Sequence, residues 1–212
     1  MNVHDEYETL RKLADGFSIA RSGDGEVKLI RGADAVREPQ NANLAAELLD
    51  VLRSPHAGCL RGVLRDHPGP KNQSLSKHRL ELERYLDPGQ EYWSAHISRA
   101  DHCPWIETDE YAELAHALWR GKRAVVVAES PLVSTFRAVA LTAREIAQVW
   151  CPHRETYSVI DVVEKSVVEA RPDVVVMACG PAATCLANRL SKRGIQALDL
   201  GRIGSVIIRN TH

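Results

Sequence analysis

Apolar positions along this chain recur in two rhythms, and each rhythm predicts an element. Residues 5–14 carry a helix-like spacing, followed by a short apolar run at 17–20 that breaks into a Gly/Asp turn, as a strand delivering a loop does. Leu44, Leu48, Leu49 and Leu52 share one helical face, so a helix capped by Asn41 or Asn43 is expected to run to Arg53. Residues 58–64 read as a short strand. The breakers of Asp66-His67-Pro68-Gly69-Pro70 make 65–71 a loop. A helix is expected over 73–86 and an alternating strand over 92–98, and Glu107 or Thr108 starts a helix that ends near Trp119.

The second half is more regular. Four consecutive apolar residues, 124–127, place a strand buried on both faces at 123–128. Another strand is expected at 145–150, with a helical stretch from Val133 leading towards it. A helix over 156–169 precedes the β-branched run Val174-Val175-Val176-Met177-Ala178, an interior strand. A helix from Pro181 to Lys192 and a strand over 195–200 follow. Alternating strands and helices predict an α/β fold, a Rossmann-like, mostly parallel sheet flanked by helices.

Composition bounds the rest. The 212 residues fit one domain spanning 1–212 with its core over about 17–208, and a 44% hydrophobic, 26% charged mixture suits a soluble globular protein. A formal net charge of −1 provides no global field for nucleic acid, and 5% aromatic content gives no stacking platform for single strands. The opening Met1-Asn2-Val3-His4-Asp5-Glu6 lacks the basic and apolar segments of a signal peptide, and no apolar run approaches the roughly 20 residues that span a bilayer. A cytoplasmic location is expected. Five scattered cysteines with no C-x-x-C pair argue for reduced thiols rather than a disulfide scaffold. The His102-Cys103 and Cys151-Pro152-His153 spacings match no familiar zinc pattern.

The strongest chemical signal is Ile19-Ala20-Arg21-Ser22-Gly23-Asp24-Gly25-Glu26. Asp24 and Glu26 lie two positions apart, so an extended or gently turning backbone would direct both carboxylates to one side. Gly23 and Gly25 allow positive φ and close ligand approach. Two hard oxygen donors on such a turn suit Mg²⁺ or Mn²⁺; a solvated acidic turn is the plainer alternative. A second signal is Gly180-Pro181-Ala182-Ala183-Thr184, where a buried strand gives way to a helix whose free amides favour phosphate. The Gly-rich dinucleotide fingerprint is absent.

Together these segments resemble the GT-D glycosyltransferases, known for a D-x-E motif. The resemblance runs from about residue 17 to 203 and rests on Ala20-Arg21-Ser22-Gly23-Asp24-Gly25-Glu26, on Pro39-Gln40-Asn41 with Leu44, and on Ile97-Ser98-Arg99. It continues through the strand at 122–128, through Ala178-Cys179-Gly180-Pro181-Ala182-Ala183-Thr184-Cys185-Leu186-Ala187, and through Gly194-Ile195-Gln196-Ala197-Leu198-Asp199-Leu200-Gly201. It implies transfer of a sugar from a nucleotide-sugar donor, UDP-linked, to a hydroxyl acceptor, with Asp24 and Glu26 holding Mn²⁺ (or Mg²⁺). Ser22 stands where the family often has an aromatic residue, and Arg202 where it commonly has histidine.

On that implication a divalent ion neutralises charge on the departing diphosphate. Amides around Gly180, Pro181 and Thr184 and a nearby arginine add fixed positive potential. Arg21 is the first candidate, with an ion pair to Asp24 or Glu26 as the competing reading, and Arg99 is the second. Gly23, Gly25, Gln40, Asn41 and Asp199 complete the expected donor-binding set, although a helix cap also explains Asn41. Glu129 and Asp199, near strand ends, are candidates for a general base, and His96 reads as a packing residue. The acceptor is open between a protein-linked glycan, a polysaccharide, a lipid-linked sugar and a modified nucleobase. The rival to the enzyme is a noncatalytic nucleotide- or sugar-phosphate-binding module on the same scaffold.

Overall fold

Leucine at helical spacing and β-branched runs fold here into two helical layers over one sheet. The computed structural model describes residues 2–65, 73–99, 104–130, 133–201 and 203–210. The strands are β1 (Asn2–Val3), β2 (Ser18–Ser22), β3 (Cys59–Val63), β4 (Glu91–Ser94), β5 (Arg123–Ala128), β6 (Glu145–Trp150), β7 (Val174–Met177) and β8 (Gln196–Asp199). They form an eight-stranded sheet in the order β1-β4-β3-β2-β8-β7-β5-β6, with the described neighbours paired in parallel. The expected α/β architecture is therefore present.

The helices are α1 (Glu6–Ala14), α2 (Asp24–Ile30), α3 (Ala42–Arg53), α4 (Gln73–Glu83), α5 (Asp109–Ala117), α6 (Ser134–Ala140), α7 (Ile160–Glu169), α8 (Ala182–Lys192) and α9 (Ile203–Asn210). Strand alternation divides the core between the two faces. Val126, Val176 and Leu198 pack with Leu10, Leu13, Tyr111, Val139 and Ile207 from α1, α5, α6 and α9. Val125, Val127, Val175 and Met177 pack with Leu44, Leu48, Val163 and Leu186 from α3, α7 and α8. Strands buried on both sides are continuous apolar runs for this reason.

Several boundaries differ from expectation. The strand expected over 92–98 ends at Ser94, and the chain then turns through Ser98. The helix expected over 156–169 begins with a 3-10 turn, Thr156–Val159, before α7. The helical stretch near Val133 is α6, which stops before β6. α9 was not expected. All but the first residue of the loop expected over 65–71, the His102-Cys103 pair and Arg202 lie outside the described residues.

The main correction is at Asp24 and Glu26. Instead of an extended turn, they occupy the first and third positions of α2, with Gly23 as the cap. The Glu26 carboxylate folds back to accept the Gly23 N–H at 2.7 Å, filling one of the donors a helix start leaves open. Acidic residues in a first turn also complement the helix dipole.

The sheet order sets the place of the site. From β2 the chain passes through α2 and α3 to β3 on one side, whereas β8 is reached from β5 and β7 on the other. Connections that depart in opposite directions from neighbouring strands leave a crevice at their carboxyl ends.

Candidate functional site

A cleft of about 400 Å³ opens at that switch point, with Asp24, Gly25 and Glu26 on one wall, Gly180 and Pro181 on another, and Asp199 at the base. On a helix, residues two apart face different directions, so strand-like alternation does not explain why both acids reach the cleft. They reach it because it lies at the open end of α2, where first-turn side chains can bend past the terminus. Gly25 fits closely: a Cβ there would stand 3.4 Å from Pro181 Cγ and 3.8 Å from Ala35 Cβ.

The two carboxylates differ in character. The Asp24 side chain is 48% exposed, and its Oδ2 lies 3.8 Å from Lys28 Nζ. Glu26 sits deeper. Burial, then the nearby charge of Asp199, push its carboxyl up to about 7; the Gly23 hydrogen bond opposes the shift, and Asp24 adds to it.

Arg21 pairs with neither of them. Its Nη2 lies 3.2 Å from Asp199 Oδ1, its Nη1 donates to Ala95 O at 3.0 Å and to Ser98 Oγ at 2.7 Å, and its backbone N–H donates to Asp199 Oδ2 at 3.3 Å. The competing reading of Arg21, an ion pair with Asp24 or Glu26, is replaced because Arg21 extends from β2 towards β8 and the turn after β4. Burial raises the Asp199 carboxyl above its ordinary range, with the Arg21 charge and hydrogen bonds acting against the shift. Arg21 Nε is buried with no hydrogen-bond partner among the described residues.

Arg99 also lines the cleft, as do Gly23 and the unanticipated Ser98, Lys28 and Arg37. His96 lines it as well as being buried, with its backbone N–H donating to Ser94 Oγ at 3.0 Å. Thr184, Gln40 and Asn41 are not among the lining residues. Thr184 is fully buried, and its hydroxyl donates to Arg21 O at 2.7 Å. Asn41 caps α3, accepting the N–H groups of Asn43 at 2.9 Å and Leu44 at 3.1 Å. Gln40 donates its backbone N–H to Asp34 Oδ1 at 2.7 Å. Of the two carboxylates offered as a base, Asp199 has both oxygens engaged by Arg21, while Glu129 lies off the cleft lining and bonds His153 Nδ1.

Among the described residues no three His, Cys, Asp or Glu side chains gather as a metal cage. Cys59, Cys151, Cys179 and Cys185 are buried thiols. No helix formed by the described residues is long and apolar enough to cross a membrane.

Comparison with known proteins agrees with this fold. The model of the family described as "Glycosyltransferase GT-D fold" matches residues 19–206. "Probable glycosyl transferase Gly" of Streptococcus gordonii is 27% identical over 91% of this chain and 30% of its own length. "Glycosyltransferase GlyD" of Streptococcus pneumoniae serotype 4 is 22% identical over 89% of this chain and 25% of its own. The chain thus spans less than a third of either relative. A solved structure described as "A New Glycosyltransferase (DUF1792) from Streptococcus sanguinis" superposes with a TM-score of 0.84 at 25% identity, covering 97% of this chain and 83% of that one. A second, described as "The highly conserved domain of unknown function 1792 has a distinct glycosyltransferase fold", gives a TM-score of 0.85 at 24% identity over 97% and 80% of the two chains, and shares the fold. With both the family model and the architecture in agreement, this chain belongs to the glycosyltransferase GT-D fold family.

Proposed function

We propose that this domain transfers a sugar from a UDP-sugar to a hydroxyl acceptor, using a divalent cation, Mn²⁺ or Mg²⁺, held by Asp24 and Glu26. The observation that carries the proposal is that both carboxylates line one cleft at the switch point of a GT-D sheet. The donor set fits a hard cation: two carboxylates leave coordination positions for phosphate oxygens and water, as such ions require in phosphate-binding sites.

When bound, the cation would neutralise negative charge on the departing diphosphate. The chain's own residues do the rest. Asp24, with its side chain half exposed, would hold the ion from the open side of the cleft, and Glu26, which accepts the Gly23 N–H, would hold it from within. Arg21 joins β2, β8 and the turn after β4 into one cleft floor and occupies Asp199, which keeps that third carboxylate from the donor. Gly25, with no side chain, lets a ligand approach the α2 terminus. Buried thiols fit action in the cytoplasm.

The test is release of UDP from a panel of UDP-sugars incubated with the protein in MnCl₂ or in EDTA, with candidate hydroxyl acceptors. Release in MnCl₂ that EDTA abolishes is the expected result. UDP binding without release from any donor would favour the noncatalytic module.

A further inference from the structure

We infer that Arg37 is the residue that grips the donor's diphosphate, the role the sequence offers to Arg21 or Arg99; this inference rests on the nucleotide-sugar reading above. Charge arithmetic calls for such a residue. Two carboxylates and one divalent cation sum to zero, so the two negative charges of a sugar nucleotide's diphosphate call for further positive charge in a partly desolvated cleft.

The cations on the cleft wall are not equivalent. The guanidinium of Arg21 is committed to Asp199, Ala95 O and Ser98 Oγ, so its charge is already matched. Lys28 lies 3.8 Å from Asp24. Arg37 is half-buried and lines the same cleft, and its guanidinium has no hydrogen bond or ion pair among the described residues. An arginine held partly out of water without an anion is a receptor for one, and its planar fork matches phosphate oxygens.

The backbone around Arg37 is fixed without help from that side chain. Its carbonyl accepts the Glu155 N–H at 2.9 Å. The next residue, Glu38, is 2% exposed and accepts the Tyr157 N–H at 3.1 Å. The Ala35 N–H donates to Glu38 O at 2.9 Å, which closes the loop. Arg37's stem lies over Gly180, with Cβ and Cδ each 3.5 Å from where a Gly180 Cβ would stand. Two residues earlier, Ala35 packs against Gly25, between the two carboxylates in sequence. The loop therefore holds a charge-bearing arm beside the proposed metal ligands, with the head group left for a ligand.

The experiment is calorimetric titration of UDP, GDP, CDP and ADP into the wild-type protein, Arg37→Gln and Arg37→Lys, with MnCl₂ present, alongside thermal unfolding of each. The expected result is one diphosphate bound by wild type, with affinity falling about 10-fold or more in Arg37→Gln and less in Arg37→Lys, at unchanged Tm. If Arg37→Gln binds that nucleotide as tightly as wild type, this inference alone is overturned. Equal losses in both variants with a lowered Tm would also overturn it, by making the arginine structural. A wild-type protein that binds none of the four would instead overturn the donor reading beneath it.

Discussion

Arg21 on β2 reaches Asp199 on β8 with 3.2 Å between Nη2 and Oδ1, and the side chains are only 14% and 9% exposed. The pair bridges the two strands between which the sheet changes direction. It makes the floor of the cleft rigid, and it uses up a cation and an anion that the sequence alone nominates for chemistry. Removing one member leaves the other charged, buried and unmatched. Arg21→Ala is therefore expected to lower unfolding free energy by about 3–5 kcal/mol in urea titration.

Glu26 links pH to stability. Its carboxyl is pushed up to about 7 in the fold, from an ordinary value of 4.5. Between those values the folded state holds a proton that the unfolded state has released, so metal-free stability falls as pH rises through about 7. The contribution is complete below the unfolded pKa. Part of Glu26 opens to the cleft, which reduces the full linkage effect to roughly 1–2 kcal/mol between pH 5 and pH 8. Denaturation in EDTA should show this slope, and Glu26→Gln should flatten it. Mn²⁺ affinity should move oppositely, rising with pH as Glu26 loses its proton.

Thr184 separates a structural role from a donor-binding one. Its buried hydroxyl donates to Arg21 O at 2.7 Å. Thr184→Val keeps the shape and deletes that donor. A loss of about 1 kcal/mol in stability is expected, with UDP affinity unchanged by calorimetry.

Gly204 marks a close contact between α9 and the start of α6. A Cβ there would overlap the backbone of Ser134 and Thr135 at the start of α6. Gly204→Ala should therefore cost about 1–3 kcal/mol, or more if α9 cannot shift. Thermal unfolding checks this without reference to activity.

How legible each part was follows from how local its cause is. β5 and β7 could be read because a strand buried on both faces must be apolar at every position, as Val125-Val126-Val127 and Val174-Val175-Val176 are. The start of α3 could be read because Asn41 caps it with its own side chain. α2 was hidden because Gly-Asp-Gly-Glu offers turn chemistry and helix-start chemistry together, and the Glu26 carboxylate decides for the helix. α9 was hidden because Ile203-Gly204-Ser205-Val206-Ile207-Ile208 has the β-branched content of a strand, and its helix is selected by packing on α6. Asp24 and Glu26 were found as a pair, although the backbone that brings them to the cleft is not the one expected. Arg37 was missed because its position depends on Glu38 meeting Tyr157, 119 residues away, which no local pattern encodes.

The most direct measurement is UDP affinity with and without MnCl₂ for wild type, Asp24→Asn and Glu26→Gln, each first confirmed folded by circular dichroism. Two carboxylates that hold the ion at the diphosphate predict that MnCl₂ tightens UDP binding about 10-fold or more in wild type, and that either substitution removes most of that gain. If both variants keep the full Mn²⁺-dependent gain, the ion is held elsewhere and the assignment of Asp24 and Glu26 is contradicted.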